Sequence, residues 1–437
     1  MALFVPVGLA LLGLASAQTP VGTETHPELT TYRCTVAGGC TEATNYLVLD
    51  SLAHSVHQIN STAGCGDWGN GPNATVCPTA EACAANCIQE AQTDYSTVGV
   101  TTDGASLRMQ MMVNNVSVSP RIYLLDNTEE KYEMVKFTGG EFAFDIDATK
   151  LPCGMNSALY LSEMEDDGGL SELNTGGAAR GTGYCDAQCY TTPFINGVAN
   201  LDAAGACCSE MDIWEANARA EQLAPHPCNE SGVYLCSGAE CGSDGVCDKS
   251  GCGWNPYRLN QTDYYGEGSE FDVDTTKPFT VVTQFPVNNS TGKLEEITRL
   301  FVQDGVVIKA ETVSKEGLPA VDSITTDYCV ASDATAFNRL DGLEAMGDAM
   351  ARGMVMAFSI WWSTDGSMVW LDGASEGAGP CSDSDDLPAS ILAAEPEPEV
   401  TFSNLKWGEI GSTFGSAAAT NGTLKYRRGT RIGSRGW

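Results

Sequence analysis

Hydrophobic and polar residues alternate with period two through much of the chain, as in LRMQMMV (107–113), RIYLLD (121–126), FAFDID (142–147), SALYLSEM (157–164), FTVVTQF (279–285) and GMVMAFSIWW (353–362). Successive side chains of a strand point to opposite faces, so each segment offers one row to a core and one to the other side. Many short strands separated by Gly and Asn predict an all-β fold, an antiparallel sandwich. Helical spacing is sparse. One helix is predicted over 337–351, with Leu340, Leu343 and Met350 on one side. There is no internal repeat and no Pro/Ser/Thr linker, so residues 18–413 read as one domain. Residues 414–437 are small, polar and finally basic, and are expected to be disordered.

Composition narrows the class. The 437 residues carry 57 acids against 23 bases, a formal charge of -34, which repels nucleic acid and anionic membrane alike and suits a neutral substrate. Residues 1–17 are an apolar run ending in Ala15-Ser16-Ala17, the pattern of a cleaved secretory signal, and no later stretch is apolar enough to span a bilayer. The eighteen cysteines fit that exported compartment as disulfides. Zinc is not expected, since no pair of C-x2-C motifs has the right companion spacing and only four His are present. Sequons at Asn60, Asn73, Asn115, Asn229, Asn260, Asn288, Asn289 and Asn421 place those loops at the surface.

The candidate chemistry lies in CCSEMDIWEANARAEQLAPH, residues 207–226. A single carboxylate in a strand is ordinarily a solvated face, but Glu210, Asp212 and Glu215 stand among Met211, Ile213 and Trp214. Glu210 and Asp212 share a face by alternation, and Glu215 has the wrong parity. A β-bulge between 212 and 215 would return Glu215 to that face, leaving Met211 and Ile213 toward the core. Two carboxyl groups about 5 to 5.5 Å apart suit a retaining glycosidase, one attacking the sugar carbon and the other protonating the leaving oxygen. A third acid between them can orient the nucleophile and help part the two pKa values.

Aromatic residues add a second signal. A lone Trp is more often core, yet Trp361, Trp362 and Trp370 lie in or beside SIWWSTDGSMVWLD, amid polar residues. Sugar rings pack their C–H faces on indole while their hydroxyls seek polar side chains at the edges. Asp186 and Gln188, in YCDAQC, would point the same way from a strand. His226 in PHPC is flanked by prolines that fix its backbone.

With these residues in hand, the chain closely resembles glycoside hydrolase family 7, secreted cellulases that include endoglucanases and cellobiohydrolases. The likeness runs from THPELTTYRC through GVTTDGASL, PRIYLLD, FDIDATKLPCGMNSALYLSEM, GTGYCDAQC, CCSEMDIWEAN, GCGWNPYRL and TVVTQF to VTFSNLKWGEIGST. It implies a large curved β-sandwich of the concanavalin-like jelly-roll type, a long cleft, retaining hydrolysis of β-1,4-glucan and no cofactor. By position, Glu210 matches the nucleophile, Glu215 the acid/base and Asp212 the residue assisting Glu210. His226 matches a residue beside the leaving-group sugar. Asn156, Tyr160, Asp186, Gln188, Arg121 and Arg258 match cleft positions that hydrogen-bond glucose, and Trp361 and Trp370 match platforms either side of the scissile bond.

Departures from the family pattern point to the mode of attack. Three loops that roof the cleft in cellobiohydrolases are short here, in FINGVANLDAAGACCSE, CGSDGVC and WLDGASEGAGPC, and the Arg residues of the last two are missing. Ala53 and Ser55 stand where cellobiohydrolases carry entrance Trp platforms. An open cleft lets a chain enter sideways, so an endo-β-1,4-glucanase is expected. The alternatives are a cellobiohydrolase, a non-catalytic glucan-binding lectin, or a wider activity on mixed-linkage glucan or xylan. The resemblance implies disulfides 34–40, 65–87, 77–83, 153–381, 185–208, 189–207, 228–247, 236–241 and 252–329, and one family bridge is lost at both ends, the second being Ile88. No cellulose-binding module is expected after residue 413. The expected partner is a polysaccharide, met by a monomer.

Overall fold

The computed structural model describes residues 19–54 and 56–414, and the backbone of 425–427. The expected leader, Ser55 and the Asn421 sequon lie outside the described residues. So does most of the tail, of which Lys425–Arg427 form a strand parallel to Val306–Lys309 where disorder was expected.

The alternating segments form two sheets. One runs Gly39–Leu49, Arg121–Leu125, Met354–Trp362, Met155–Ser162, Glu210–Ala216 and Glu221–His226, each strand antiparallel to the next. The other runs Val100–Asp103, Ser106–Gln110, Glu399–Glu409, Gly140–Lys150, Phe279–Gln284, Glu296–Gln303 and Val306–Lys309, again antiparallel throughout. Glu28–Thr35 joins them, pairing antiparallel with Gly39–Leu49 and parallel with Glu399–Glu409.

Alternation explains which side packs. Leu159, Leu161, Met356, Phe358 and Ile360 of the first sheet share one core with Phe144, Ile146, Phe301 and Phe402 of the second. Phe358 meets Phe402 at 5.5 Å between ring centroids, and Trp214 meets Phe144 at 6.1 Å. The intervening residues, Ala158, Tyr160, Ala357, Ser359 and Trp361, face the other way, and all but Ala357 line a cleft of about 850 Å3. The cleft runs across the strands, from Asp50 and Arg121 at one edge to Gln222 and His226 at the other.

The predicted helix is two, Thr335–Arg339 and Gly342–Arg352. Asp341 (φ 59°), between them, and Gly342 (φ 43°), which opens the second, are left-handed, and no continuous α-helix accommodates that. A Cβ at Gly342 would lie 2.6 Å from the Phe337 ring, so the break needs glycine. All nine implied disulfides are present. Where the family bridge at Ile88 is lost, Thr19–Val21 pairs parallel with Cys87–Glu90, setting Thr19 opposite Ile88, so a strand ties down the segment there. Six of the sequon asparagines are exposed, and Asn288 is half-buried.

Candidate active site

The Glu210–Ala216 strand contains the expected bulge. Asp212 faces Ala224 and Glu215 faces Gln222, so Ile213 and Trp214 together stand opposite Leu223. On its other side Leu159 faces Trp214 and Tyr160 faces Asp212, which leaves Ile213 with nothing opposite. The extra residue restores parity. Glu210, Asp212 and Glu215 all line the cleft, while Met211, Ile213 and Trp214 are fully buried in the core. Two disulfides, Cys185–Cys208 and Cys189–Cys207, fasten the approach to this strand to the 185–189 loop.

Each carboxylate has its own surroundings. Glu210 accepts a hydrogen bond from the Ala187 N–H at 3.1 Å. Burial, Asp212 and Asp186 nevertheless push it well above the usual carboxylate range, with His226 and that N–H pulling the other way. Glu215 accepts from Asn156 Nδ2 at 3.0 Å, and burial with the Asp212 charge raises it to about 8. Asp212 pairs with His226 Nε2 at 3.0 Å, and the other ring nitrogen, Nδ1, is 3.0 Å from the Asp248 carbonyl. Both nitrogens therefore face acceptors, as an imidazolium requires. Burial draws the His226 pKa down, but Asp212 outweighs it and brings it to about 10.

The structure sorts the remaining expected residues. Tyr160, Asp186, Gln188, Trp361 and Trp370 line the cleft. Asp186 and Gln188 are not on a strand, however. Their segment is a loop making one bridge, Asp186 to Cys207, with Cys189 left-handed (φ 57°), and Gln188 Nε2 donates to the Lys249 carbonyl. Trp370 sits on a one-turn helix, Val369–Asp372, whose buried Asp372 accepts from the Gly154 N–H and Asn217 Nδ2 at 2.8 and 2.6 Å.

Three residues implied to hydrogen-bond glucose are otherwise engaged. Asn156 is fully buried and holds Glu215. The Arg121 guanidinium gives Nε and Nη2 to Asp50 and stacks 3.4 Å over Tyr184. Arg258 donates to the Trp370 and Glu376 carbonyls and lines the adjoining cavity of about 820 Å3, not the main cleft. Arginine offers donors to whatever acceptor is nearest, and here neighbouring carbonyls and a carboxylate claim them.

Several cleft residues escaped the sequence reading. Trp68, 45% exposed, packs 5.6 Å from Tyr190 and 5.3 Å from Arg121, forming a wall over the Arg121 end. Lys249 gives Nζ to the Ala187 carbonyl at 2.7 Å. Trp68 is the single aromatic of CGDWGN, too little to signal a platform, though a Trp amid Gly and Asn was a usable hint. Cysteine groupings near enough to share a metal, such as Cys77, Cys83 and Cys87, are disulfide sulfurs already.

Comparison with known proteins agrees with this geometry. Residues 19–414 match the model for glycosyl hydrolase family 7. The chain is 63% identical to Endoglucanase 1 of Pyricularia oryzae, over 94% of this chain and 97% of that protein. It is 57% identical to Endoglucanase EG-1 of Humicola insolens, over 92% and 93%. The native structure of a Humicola insolens endocellulase superposes with a TM-score of 0.88 at 57% identity, covering 91% of this chain and all of that one. A family 7 cellobiohydrolase from Daphnia pulex superposes at 0.83 with 35% identity, with coverage of 91% and 100%.

Proposed function

The chain belongs to glycosyl hydrolase family 7, and on that premise we propose that it is an exported, retaining endo-β-1,4-glucanase in which Glu210 is the nucleophile and Glu215 the acid/base. The observation that carries the assignment is the bulge, which brings three carboxylates to one side of a strand in a cleft long enough for several sugars.

Glu210 attacks the anomeric carbon from one side of the sugar while Glu215 delivers its proton to the departing glycosidic oxygen. With a pKa of about 8, Glu215 holds that proton at neutral pH. Burial, Asp212 and Asp186 hold the Glu210 pKa up, and the Ala187 N–H and the His226 imidazolium oppose them, favouring the ionised form that attack requires while the proton stays on Glu215. Having given up its proton, Glu215 stays ionised, because esterifying Glu210 removes one negative charge from the cluster. It then takes a proton from water as the water oxygen bonds to the anomeric carbon and the ester bond to Glu210 breaks, freeing the sugar. Asp212 serves this scheme as the partner of His226, holding a cation between the two glutamates' surroundings.

Internal cutting is supported by the likeness to proteins named endoglucanases at 57–63% identity, against 35% for the cellobiohydrolase, and by Ala53 exposed at the cleft wall where a Trp platform was absent. The substrate proposed is a β-glucan chain, as family membership implies, and the acting species proposed is a monomer. Export rests on the leader-like residues 1–17.

Glu210→Gln is expected to abolish turnover and leave cello-oligosaccharide binding intact. Retained hydrolysis would sink the assignment. A steep viscosity fall of soluble substituted cellulose per reducing end released marks endo action, and a shallow one exo action.

A further inference from the structure

We propose that Arg299 is a positioning residue for the reaction: it reaches through the core from the opposite sheet and fixes the bulge that turns Glu215 into the cleft. The inference rests on the roles proposed for Glu210 and Glu215.

Arg299 belongs to Glu296–Gln303, in the sheet that does not form the cleft. It is 2% exposed, among the largest fully buried side chains of the molecule. An arginine has little reason to point into an apolar core, where its charge loses hydration, unless acceptors meet it there. Two do. Nη2 donates to the carbonyl of Ile213, and Nη1 donates to Glu221 Oε2 at 3.3 Å. Ile213 is the residue that the bulge leaves with no partner opposite on the Met155–Ser162 side. A bulge disrupts the ladder locally, so the peptide there needs a donor from outside the sheet, and the guanidinium is that donor. Glu221, 1% exposed, comes from the neighbouring strand, opposite Ala216, one residue past Glu215. The arginine therefore ties the bulged strand to its Glu221–His226 neighbour, with its guanidinium carbon 5.8 Å from the Trp214 ring.

The consequence follows from strand geometry. Were the bulge lost, side chains beyond it would exchange faces, sending Glu215 toward the core and leaving Glu210 and Asp212, which precede it, in place. Arg299 thus acts selectively on the acid/base. The nucleophile's hydrogen bond to Ala187 lies on the other side of the bulge and is independent of it.

The test compares leaving groups. Dinitrophenolate departs without a proton, so a dinitrophenyl cello-oligosaccharide needs Glu215 little in the first step, whereas the matching unsubstituted cello-oligosaccharide needs it fully. Arg299→Lys keeps the charge but loses the planar fork. It is expected to lower kcat/KM on the cello-oligosaccharide about tenfold or more and on the dinitrophenyl substrate less than about threefold. Azide, attacking the glycosyl-enzyme without base assistance, is expected to restore part of the turnover on the dinitrophenyl substrate. Glu221→Gln, which retains a hydrogen-bonding group beside Arg299, is the second variant and should show the same asymmetry more weakly. Equal losses on both substrates, or none, in whichever of these variants folds would overturn the inference, and failure of both to fold would also overturn it by making the arginine a stability element. Wild-type enzyme inactive on both substrates would instead sink the proposed function.

Discussion

Replacing Asn156 with Leu separates two accounts of that residue. By resemblance it binds glucose, but in the structure it is fully buried and its Nδ2 donates to Glu215 at 3.0 Å. A donor to a carboxylate favours the ionised form, so it lowers the Glu215 pKa, which burial and Asp212 have raised to about 8. Leucine has nearly the same shape and no donor. A hydrogen bond to a charged group contributes about 1.5 kcal/mol or more, and about 1.4 kcal/mol is one pKa unit, so Glu215 should move up by roughly one unit. The assay is the pH dependence of kcat/KM on a fluorogenic cellotrioside, whose alkaline limb reports loss of the acid's proton. That limb is expected to shift upward by about one unit, with KM little changed and a lower plateau, because a weaker acid protonates the leaving oxygen less readily. Stability should change little, since Asn156 Oδ1 is a buried acceptor without a partner and its removal offsets the lost bond. An unmoved limb with a raised KM would refute the reasoning and return Asn156 to substrate binding.

Two further outcomes are expected. Glu215 and Glu221, raised to about 8 and about 7, and His226, raised to about 10, all hold protons more tightly when folded. Their stabilisation is complete below the unfolded values, near 4.5 for the glutamates and 6.5 for the histidine, and is lost as pH rises through the folded ones. Calorimetry should therefore give a Tm at pH 8 below that at pH 5 by about 5 °C, and a flat or rising Tm would contradict the buried-proton account. Trp68→Ala, removing an exposed ring from the Arg121 end of the cleft, should raise KM about tenfold on cellohexaose and leave short aryl glycosides unaffected, given about 1–1.5 kcal/mol for a sugar-face contact of this kind. Equal effects on long and short substrates would place the ring elsewhere in the reaction.

The strands were legible because a half-buried sheet imposes alternation that composition cannot hide. The bulge was legible for the same reason: Glu215 broke the parity, and only an inserted residue repairs it. The 335–352 helix read as one because its apolar spacing continues across Asp341, whereas the break depends on backbone conformation at two positions. The disulfides followed from family likeness, not from spacing. Least legible were the polar contacts. Asp186 and Gln188 reach the cleft from a loop that two disulfides shape, and Arg121, Arg258 and Asn156 found acceptors contributed by residues distant in sequence, Asp50, Trp370 and Glu215. Arg299 was not legible because both faces of ITRLFVQ are apolar, so alternation alone does not say which way it points, and its acceptor, the Ile213 carbonyl, is distant in sequence.

Because the cleft crosses the strands, the sheet doubles as a ruler for the polymer. Neighbouring strands lie about 4.8 Å apart, close to the rise of one glucosyl unit, so each strand contributes roughly one sugar position. Three strand steps separate the Glu210–Ala216 strand from Arg121–Leu125, whereas Glu221–His226 is a single step away on the other side. The point of cleavage along a bound chain is thus set by how many strands lie on each side of the bulge. Altering the sizes of the oligosaccharides released would require changes at strand ends and loops, while the core between the sheets could stay as it is.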